Sequence, residues 1–176
     1  VAVVQARVGS ARLPGKALRT LAGRPLLSHV IERVKKTLRV DEVILATSVS
    51  GGDAAVAAVG ASCGVRTWRG SEWDVLTRMV EAAQWARADV VLRATGDCPL
   101  FCPDVAARVL ELYCAAANQS VYAWNDTASS GWPDGTDAEV FSEALLARAS
   151  LMAWRREDRE HVTPIVRRIA AGVRTL

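Results

Sequence analysis

The chain opens with VAVVQARVGSARLPGK, residues 1–16, and this segment indicates the fold class. Its first four residues form an unbroken apolar run, which is typical of a strand buried on both faces of a parallel sheet. The run breaks into a loop that holds Gly9, Pro14 and Gly15, and the segment 25–38 then repeats apolar residues at helical spacing. A strand, a glycine-rich loop and a helix in this order predict the start of a βαβ unit.

The same alternation of short strands and helices continues along the chain. We expect further strands at 43–46, 65–68, 90–92 and 121–124, and helices that reach about residue 61 and cover 74–86 and 103–116. A loop over 125–135 follows, and the segment 144–176 is predicted to be helical with a basic solvent face. These elements predict a single α/β domain over 1–176, with an open three-layer α/β/α arrangement and a mostly parallel sheet.

Composition excludes several classes of protein. The 176 residues carry 22 Lys and Arg against 19 Asp and Glu, and 51% of them are hydrophobic, so the chain can bury a core and is not disordered. No apolar run approaches the roughly 20 residues that a membrane-spanning helix needs, and a net charge of +3 is too small to indicate a duplex nucleic-acid partner. The four cysteines lack the spacing of a disulfide framework or a zinc site, so we expect free thiols in a cytoplasmic protein.

The loop after the first strand is where a ligand is expected, because open α/β sheets bind ligands at the carboxyl ends of their strands. From Gln5 to Lys16 the sequence places two glycines, a serine and three cations. Glycine lets backbone N–H groups close on an anion that the cations neutralise, so this composition favours a triphosphate cradle. It is not a Walker A loop, because five residues separate Gly9 from Gly15 and Ala17 follows the lysine. A flexible basic surface loop is the alternative.

Five blocks of sequence, in order, resemble the nucleotide-sugar cytidylyltransferases. The branch they resemble most is named for spore-coat polysaccharide biosynthesis and is related to the synthetases of CMP-activated acidic sugars. The blocks are QARVGSARLPGK at 5–16, RGSEWDVL at 69–76, RATGDCPL at 93–100, PDGTDAEVF at 133–141 and DREHVTP at 158–164. The resemblance covers essentially the whole chain. It implies a Rossmann-like fold of the nucleotide-diphospho-sugar transferase type and a Mg²⁺-dependent transfer of CMP from CTP to an acceptor oxygen, with release of pyrophosphate.

The resemblance also implies roles for single residues. The expected catalytic residues are Arg7, Arg12 and Lys16, which would hold the β- and γ-phosphates, and Asp97, which would bind Mg²⁺. The residues expected beside the nucleotide are Ala6, Gly9, Ser10, Ser71, Asp74, Thr95 and Gly96. Asp137 is the candidate for a second metal ligand. Two alternatives are helix caps: Asp74 on its own helix, and Asp97 on the helix expected from Pro103.

Several side chains keep more than one interpretation. The acidic residues of the fourth block either orient the acceptor, complete the metal shell or solvate a loop; they are Asp134, Asp137 and Glu139. His161 is either a general base or a structural histidine. Trp124 and Trp132 flank the 125–135 loop, where they could line an acceptor pocket.

Relatives in the family usually continue past the last block to a strand and an Asp-x-Pro-Glu-Asp segment, whose first aspartate would be a second metal ligand. We therefore expect either a piece of a longer chain or a shortened member, whose sheet edge is covered by further polypeptide or by a second copy in a homodimer. The expected acceptor is a sugar, a sugar acid or a related small metabolite. The alternatives are a cytidylyltransferase domain of a larger enzyme that activates a small phosphonate, an enzyme that uses another NTP, and a catalytically silent nucleotide-binding or scaffolding module.

Overall fold

A computed structural model describes residues 1–9, 13–116, 118, 120–128 and 131–176. The strands within these residues are β1 (Ala2–Gln5), β2 (Thr20–Leu21), β3 (Arg24–Pro25), β4 (Val43–Ser48), β5 (Arg66–Gly70), β6 (Val90–Thr95), β7 (Val121–Trp124), β8 (Glu139–Ser142) and β9 (Gly172–Thr175). The helices are α1 (Leu26–Val34), α2 (Ala54–Ser62), α3 (Val75–Trp85), α4 (Pro103–Cys114), α5 (Glu143–Met152), α6 (Arg156–His161) and α7 (Thr163–Ile169). None of these helices is both long and apolar enough to cross a membrane.

One seven-stranded sheet organises the chain, with the strand order β5-β4-β1-β6-β8-β7-β9. Every neighbouring pair is parallel except the two pairs that β8 forms, with β6 and with β7. The predicted mostly parallel sheet is therefore confirmed. From β1 the chain builds outward on one side to β4 and β5, and then returns to place β6 on the other side. The order of strands thus reverses between β1 and β6, which is the topological switch point where sheets of this kind bind ligands.

Helices cover both faces of the sheet, so the expected three layers are confirmed. Val4 packs into a core with helices α1, α2 and α4, whereas its neighbour Val3 packs into a second core with α3, α5 and α7. Successive residues of a strand point to opposite faces, and both of these side chains are fully buried. The unbroken apolar run at the start of the chain follows from burial on both faces.

The end of the chain differs from the prediction. The segment 144–176 contains helices, as expected, but it ends in the strand β9, which pairs with β7. Ladder hydrogen bonds continue at both ends of this pair, from Ala171 N to Ser120 O and from Leu176 N to Trp124 O. β9 is mostly exposed, and an exposed edge strand needs no apolar run, so the hydrophobic pattern gave no signal for it.

Candidate functional site

The backbone closes tightly at the switch point between β1 and β6. Gly96, just after β6, donates from its N–H to the carbonyl oxygen of Gln5 at 2.8 Å. A Cβ atom on Gly96 would lie 2.7 Å from the Ala6 Cβ and 2.9 Å from that same carbonyl oxygen. Only glycine allows this approach. The structure thus places Ala6, Thr95 and Gly96, three residues predicted to lie beside the nucleotide, together at the carboxyl edge of the sheet.

Lys16 and Asp97 meet at this edge as an ion pair. Gly15 has a φ of +70°, and its N–H donates to the Val8 carbonyl at 3.0 Å, which closes the loop and returns Lys16 to the sheet. Burial raises the pKa of the Asp97 carboxyl, but the hydrogen bond and charge of Lys16 outweigh it and leave this pKa below its usual value. The two predicted catalytic side chains are therefore brought together.

The alternative role of Asp97 as a helix cap is wrong. The residue that caps α4 is Cys102, which makes no side-chain capping bond, and Pro103 opens the helix. Asp97 instead lies in the turn after β6, where its carboxylate faces Lys16. Both side chains keep about a third of their surface exposed, at 27% for Lys16 and 31% for Asp97. The pair is accessible to a ligand that enters from the carboxyl edge.

Asp53 holds the first loop in place, a role that was not predicted from the sequence. Its carboxylate is 2% exposed and accepts hydrogen bonds from Val8 N at 2.6 Å, Ser48 N at 3.3 Å and the Ser48 hydroxyl. Asp53 therefore connects the end of β4 to the loop after β1. A lone aspartate between Gly52 and Ala54 looks like linker sequence, and its main partner is 45 residues away. Only the fold brings the two segments together.

Arg7 points away from the Lys16–Asp97 pair. Its guanidinium donates to the Glu72 carbonyl oxygen at 2.8 Å and pairs with the Glu160 carboxylate at 3.4 Å. Both partners lie on the α3 and α6 side of the sheet. The structure therefore places Arg7 in the same loop as Lys16 but directs its charge to a different surface, and its predicted role on the phosphates stays a prediction.

Ser71 and Asp74 lie in the turn that leads into α3. The Asp74 carboxylate accepts from Thr77 N at 2.9 Å, and the Ser71 hydroxyl accepts from Asp74 N at 3.0 Å. The helix-cap alternative for Asp74 is thus observed, and its second oxygen pairs with Arg159 at 2.9 Å. Behind this turn the buried Arg78 donates to the Ser71 carbonyl; burial, with the positive charge of Arg7, lowers the pKa of Arg78 to about 10. A contact of this turn with the base or ribose stays a prediction.

Beside this turn lies a cavity of about 300 Å³, here called the Arg–Trp pocket. It is lined by Arg7, Trp73, Asp74, Trp154, Arg155, Arg156, Arg159 and Glu160. Both indoles are unusually exposed, at 71% for Trp73 and 78% for Trp154. The sequence located Arg7 and Asp74 but not the pocket, because Trp73 and Trp154 are 81 positions apart and neither belongs to a visible aromatic pattern.

The acidic residues of the fourth block divide between two environments. Asp137 is held in its own loop, where it accepts from the Thr127 hydroxyl at 3.0 Å and from Gly135 N at 3.1 Å. Burial raises the pKa of the nearby Cys98 thiol to about 11, and the charges of three surrounding carboxylates add to the rise; they belong to Asp97, Asp137 and Asp134. The charges of Asp97, Asp134 and Asp137 thus all act on the Cys98 thiol.

Glu139 belongs to the sheet interior instead. On β8 it forms an ion pair with Arg93 of β6 and accepts from the Tyr122 hydroxyl of β7 at 2.8 Å. Arg93 also donates to the Gln5 side chain at 3.0 Å, so the network spans four strands. Burial, together with the Glu139 charge, raises the pKa of Tyr122. The interpretation of Glu139 as a loop-solvating residue is wrong, because Glu139 lies on β8 and its charge is paired within the sheet. A role on the metal or the acceptor stays a prediction.

The remaining predicted residues lie apart from the Lys16–Asp97 pair or outside the described part of the chain. His161 is exposed at the end of α6. Trp132 donates to the Leu176 carbonyl oxygen at 3.3 Å, and the Arg167 guanidinium stacks on Trp124 at 4.9 Å, so both indoles have partners within the protein. Ser10 and Arg12, expected in the cradle, lie outside the described residues.

The candidate Mg²⁺ ligand is the single carboxylate of Asp97 and not a cluster of ligands. Within the described residues, no group of three or more His, Cys, Asp or Glu side chains is arranged to hold a metal ion. Mg²⁺, however, is commonly held by one or two carboxylates together with substrate phosphates. Asp97 is a partly exposed carboxylate at the edge where substrate phosphates would lie, so it fits that mode. Asp137 accepts two hydrogen bonds within its loop, and its role as a second metal ligand stays a prediction.

Comparison with known proteins agrees with this geometry. The sequence profile of the family described as cytidylyltransferase matches residues 1–175. The chain belongs to the cytidylyltransferase family. The family resemblance of the five blocks and the fold it implied are thereby confirmed.

Individual relatives show how much of such proteins the chain covers. The spore coat polysaccharide biosynthesis protein SpsF of Bacillus subtilis is 32% identical over 170 residues, which are 94% of this chain and 68% of SpsF. A 3-deoxy-manno-octulosonate cytidylyltransferase of Pelobacter propionicus is 38% identical over 104 residues, which are 59% of this chain and 40% of that protein. A solved cytidylyltransferase from Leptospira borgpetersenii serovar Hardjo-bovis superimposes with a TM-score of 0.90 at 26% identity, covering 99% of this chain and 75% of that one.

Proposed function

We propose that this chain transfers CMP from CTP to an acceptor oxygen and releases pyrophosphate. The observation that carries the proposal is the Lys16–Asp97 pair at the switch point of the sheet, in the first and the third of the five blocks that resemble the family. Ligands bind at this position in open α/β sheets. The pair offers one cation and one hard oxygen ligand in the place where a triphosphate would lie.

The reaction needs positive charge at the leaving group. A lone pair of the acceptor oxygen attacks the α-phosphorus, the bond from that phosphorus to the bridging oxygen breaks, and the electron pair leaves with pyrophosphate while the hydroxyl proton goes to solvent. Lys16 would exchange Asp97 for the phosphates and neutralise the charge that builds up there. Mg²⁺, when bound, supplies further charge neutralisation on the triphosphate, and Asp97 is the residue that would hold it.

The first loop would position the phosphates through its backbone. The Asp53 carboxylate accepts a hydrogen bond from Val8 N, and Gly15 turns the chain at positive φ. Val8 and Gly15 are therefore fixed anchors of the first loop. Gly9 lies between these anchors with an open surface. Arg7 would join the phosphate contacts only by giving up its hydrogen bond to the Glu72 carbonyl at 2.8 Å and its ion pair with Glu160 at 3.4 Å. The ion pair is long and partly exposed, so it contributes little to stability.

The names of the relatives favour a sugar or a sugar acid as the acceptor. SpsF is named for polysaccharide biosynthesis and the Pelobacter protein for 3-deoxy-manno-octulosonate. Because the chain covers only part of each, we propose this acceptor class for the chain and leave the individual compound to experiment.

Pyrophosphate release tests the proposal. With CTP, Mg²⁺ and a panel of sugars and sugar acids, Lys16→Met and Asp97→Asn should each lower the rate about 100-fold, the loss typical of removing one group that stabilises transition-state charge. Lys36→Met, an exposed lysine of the α1 end, is the matched control and should keep the wild-type rate. Wild-type rates in both site variants, with folding verified by circular dichroism, would refute the assigned roles.

A further inference from the structure

The Lys16–Asp97 ion pair occupies the carboxylate that fits Mg²⁺. Within the described residues, neither of these two side chains forms an ion pair with any other group. The negative charge of Asp97 is therefore balanced by a lysine of the same chain. A metal ion that approaches Asp97 meets an ammonium group of its own sign, and the repulsion between like charges at such short range weakens its binding.

The backbone around Lys16 is held in place. Lys16 N donates to the Leu13 carbonyl oxygen at 3.3 Å, and the Lys16 carbonyl oxygen accepts from Arg19 N at 3.1 Å. The next residue, Ala17, is 3% exposed and packs into the core with α1. The lysine side chain, in contrast, is a flexible four-carbon stem. The ammonium group can therefore leave Asp97 by rotation of the side chain alone, without a change in the backbone.

The Asp97 carboxylate is held by the turn after β6. Cys98 N donates to the Thr95 carbonyl oxygen at 3.2 Å, which closes this turn. The Thr95 hydroxyl forms a hydrogen bond with the Asp97 carboxylate, and the Cys98 sulfur lies 3.0 Å from the same hydroxyl oxygen. These contacts do not depend on Lys16. The carboxylate therefore stays in position as an oxygen ligand when the ammonium group moves away.

Asp97 needs a second source of ligands before it can hold a metal ion. Among residues 1–9, 13–116, 118, 120–128 and 131–176, no three His, Cys, Asp or Glu side chains are grouped to hold one. Mg²⁺ loses its water ligands reluctantly and is commonly held by one or two carboxylates together with substrate phosphates. A triphosphate supplies both missing conditions, because its oxygens are metal ligands and its negative charge attracts the ammonium group.

We propose that Lys16 closes the metal site of the free protein, and that a nucleoside triphosphate opens it by drawing the ammonium group from Asp97 to its phosphates. This inference rests on the proposed CMP transfer, because it takes the Lys16–Asp97 edge as the nucleotide site. Lys16 thereby makes metal binding depend on bound nucleotide. By thermodynamic linkage, the metal ion raises the affinity for the nucleotide by the same factor.

Electron paramagnetic resonance of Mn²⁺ without nucleotide tests the inference. Mn²⁺ prefers the oxygen ligands that Mg²⁺ prefers, and its signal distinguishes free from bound ion. We expect weak binding to the wild type and binding at least tenfold tighter to Lys16→Met and Lys16→Gln, because one adjacent positive charge is removed. Lys16→Arg keeps the charge and should bind Mn²⁺ as weakly as the wild type. Lys36→Met, an exposed lysine beyond the end of α1, is the matched control and should do the same.

The double variant Lys16→Met/Asp97→Asn locates the binding that Lys16→Met gains. It should lose this gain, because Asp97 supplies the ligand. Tighter Mn²⁺ binding that persists in the double variant would overturn the inference, since the ion would then bind elsewhere. Equal Mn²⁺ affinities of the wild type and both neutral variants, all folded by circular dichroism, would overturn it as well.

The rise in melting temperature with CTP separates this inference from the proposed function. A rise for the wild type, combined with equal Mn²⁺ affinities of the wild type and Lys16→Met, would overturn the closing role of Lys16 and leave the CMP transfer standing. Tighter Mn²⁺ binding by Lys16→Met, without any effect of CTP on the wild type, would overturn the opening by nucleotide and the CMP transfer with it.

Discussion

The substitution Asp53→Asn isolates the contact between β4 and the first loop. The carboxylate is buried and accepts from Val8 N, Ser48 N and the Ser48 hydroxyl. Asparagine has the same size but only one acceptor oxygen. Whichever way its amide turns, its NH₂ group faces a buried N–H donor that loses its partner.

The size of the effect follows from these contacts. A hydrogen bond to a charged group contributes about 1.5–3 kcal/mol, and a buried donor left without a partner costs a similar amount. Loss of one or two such bonds should lower the free energy of unfolding by about 3 kcal/mol. For a chain of this length that corresponds to a fall in melting temperature of about 6–12 °C. Because Val8 would be released as well, we expect the KM for CTP to rise about tenfold.

Urea denaturation measures the free energy of unfolding, and steady-state kinetics measure the KM for CTP. Asp89→Asn, an exposed aspartate just before β6, is the matched control and should change neither quantity. Stability within 0.5 kcal/mol of the wild type would refute the hydrogen-bond network. A large loss of stability with an unchanged KM for CTP would refute the view that Asp53 positions the loop for the nucleotide.

Three further predictions concern the sheet and its carboxyl edge. Gly96→Ala should cost about 2–3 kcal/mol in urea denaturation, because its Cβ would lie 2.9 Å from the backbone of β1, whereas Gly52→Ala, with open space around it, should cost less than 0.5 kcal/mol. Glu139→Gln should cost about 3 kcal/mol, since it leaves the buried arginine of β6 without a counter-charge; unchanged stability would contradict this pairing. The pKa of Asp97 is lowered in the folded chain, so Asp97 stabilises the fold above the unfolded carboxyl pKa of about 3.9, and this stability is lost as the pH falls through the folded value. Lys16→Met should therefore lower stability at pH 7 and flatten the acid limb of the stability–pH profile, and an unaltered profile would contradict the pairing.

Much of the fold could be predicted because its signals are local. The run Val1–Val4 is apolar throughout since the strand is buried on both faces, and Pro103 opens α4 as its position in the sequence predicts. The sequence places Lys16 and Asp97 in loops that follow strands, and the structure shows that these strands, β1 and β6, lie side by side. β9 was missed for the opposite reason: an exposed strand pairs through its backbone and leaves no hydrophobic pattern.

The family motif predicts the charge of Arg7 but not the surface to which its side chain points. Arg7 follows Val3 and Gln5 at a spacing of two, which places it on the face covered by α3, and its side chain reaches Glu160 of α6 there. The motif predicts a cation for phosphate, whereas strand periodicity would have predicted the side of the sheet. Contacts such as Asp53 with Val8, or Arg159 with Asp74, join segments 45 and 85 positions apart and become visible only in the folded chain.

Thermal unfolding with Mg²⁺ and each of CTP, UTP, ATP and GTP examines the proposed CTP site without any knowledge of the acceptor. A ligand at 100 times its dissociation constant adds about 2.7 kcal/mol to the free energy of unfolding, which is easily measured. We predict a rise in melting temperature with CTP that the other three nucleotides do not match and that Lys16→Met removes. No rise with CTP, or an equal rise with all four nucleotides, would contradict the assignment of the Lys16–Asp97 edge as a CTP site.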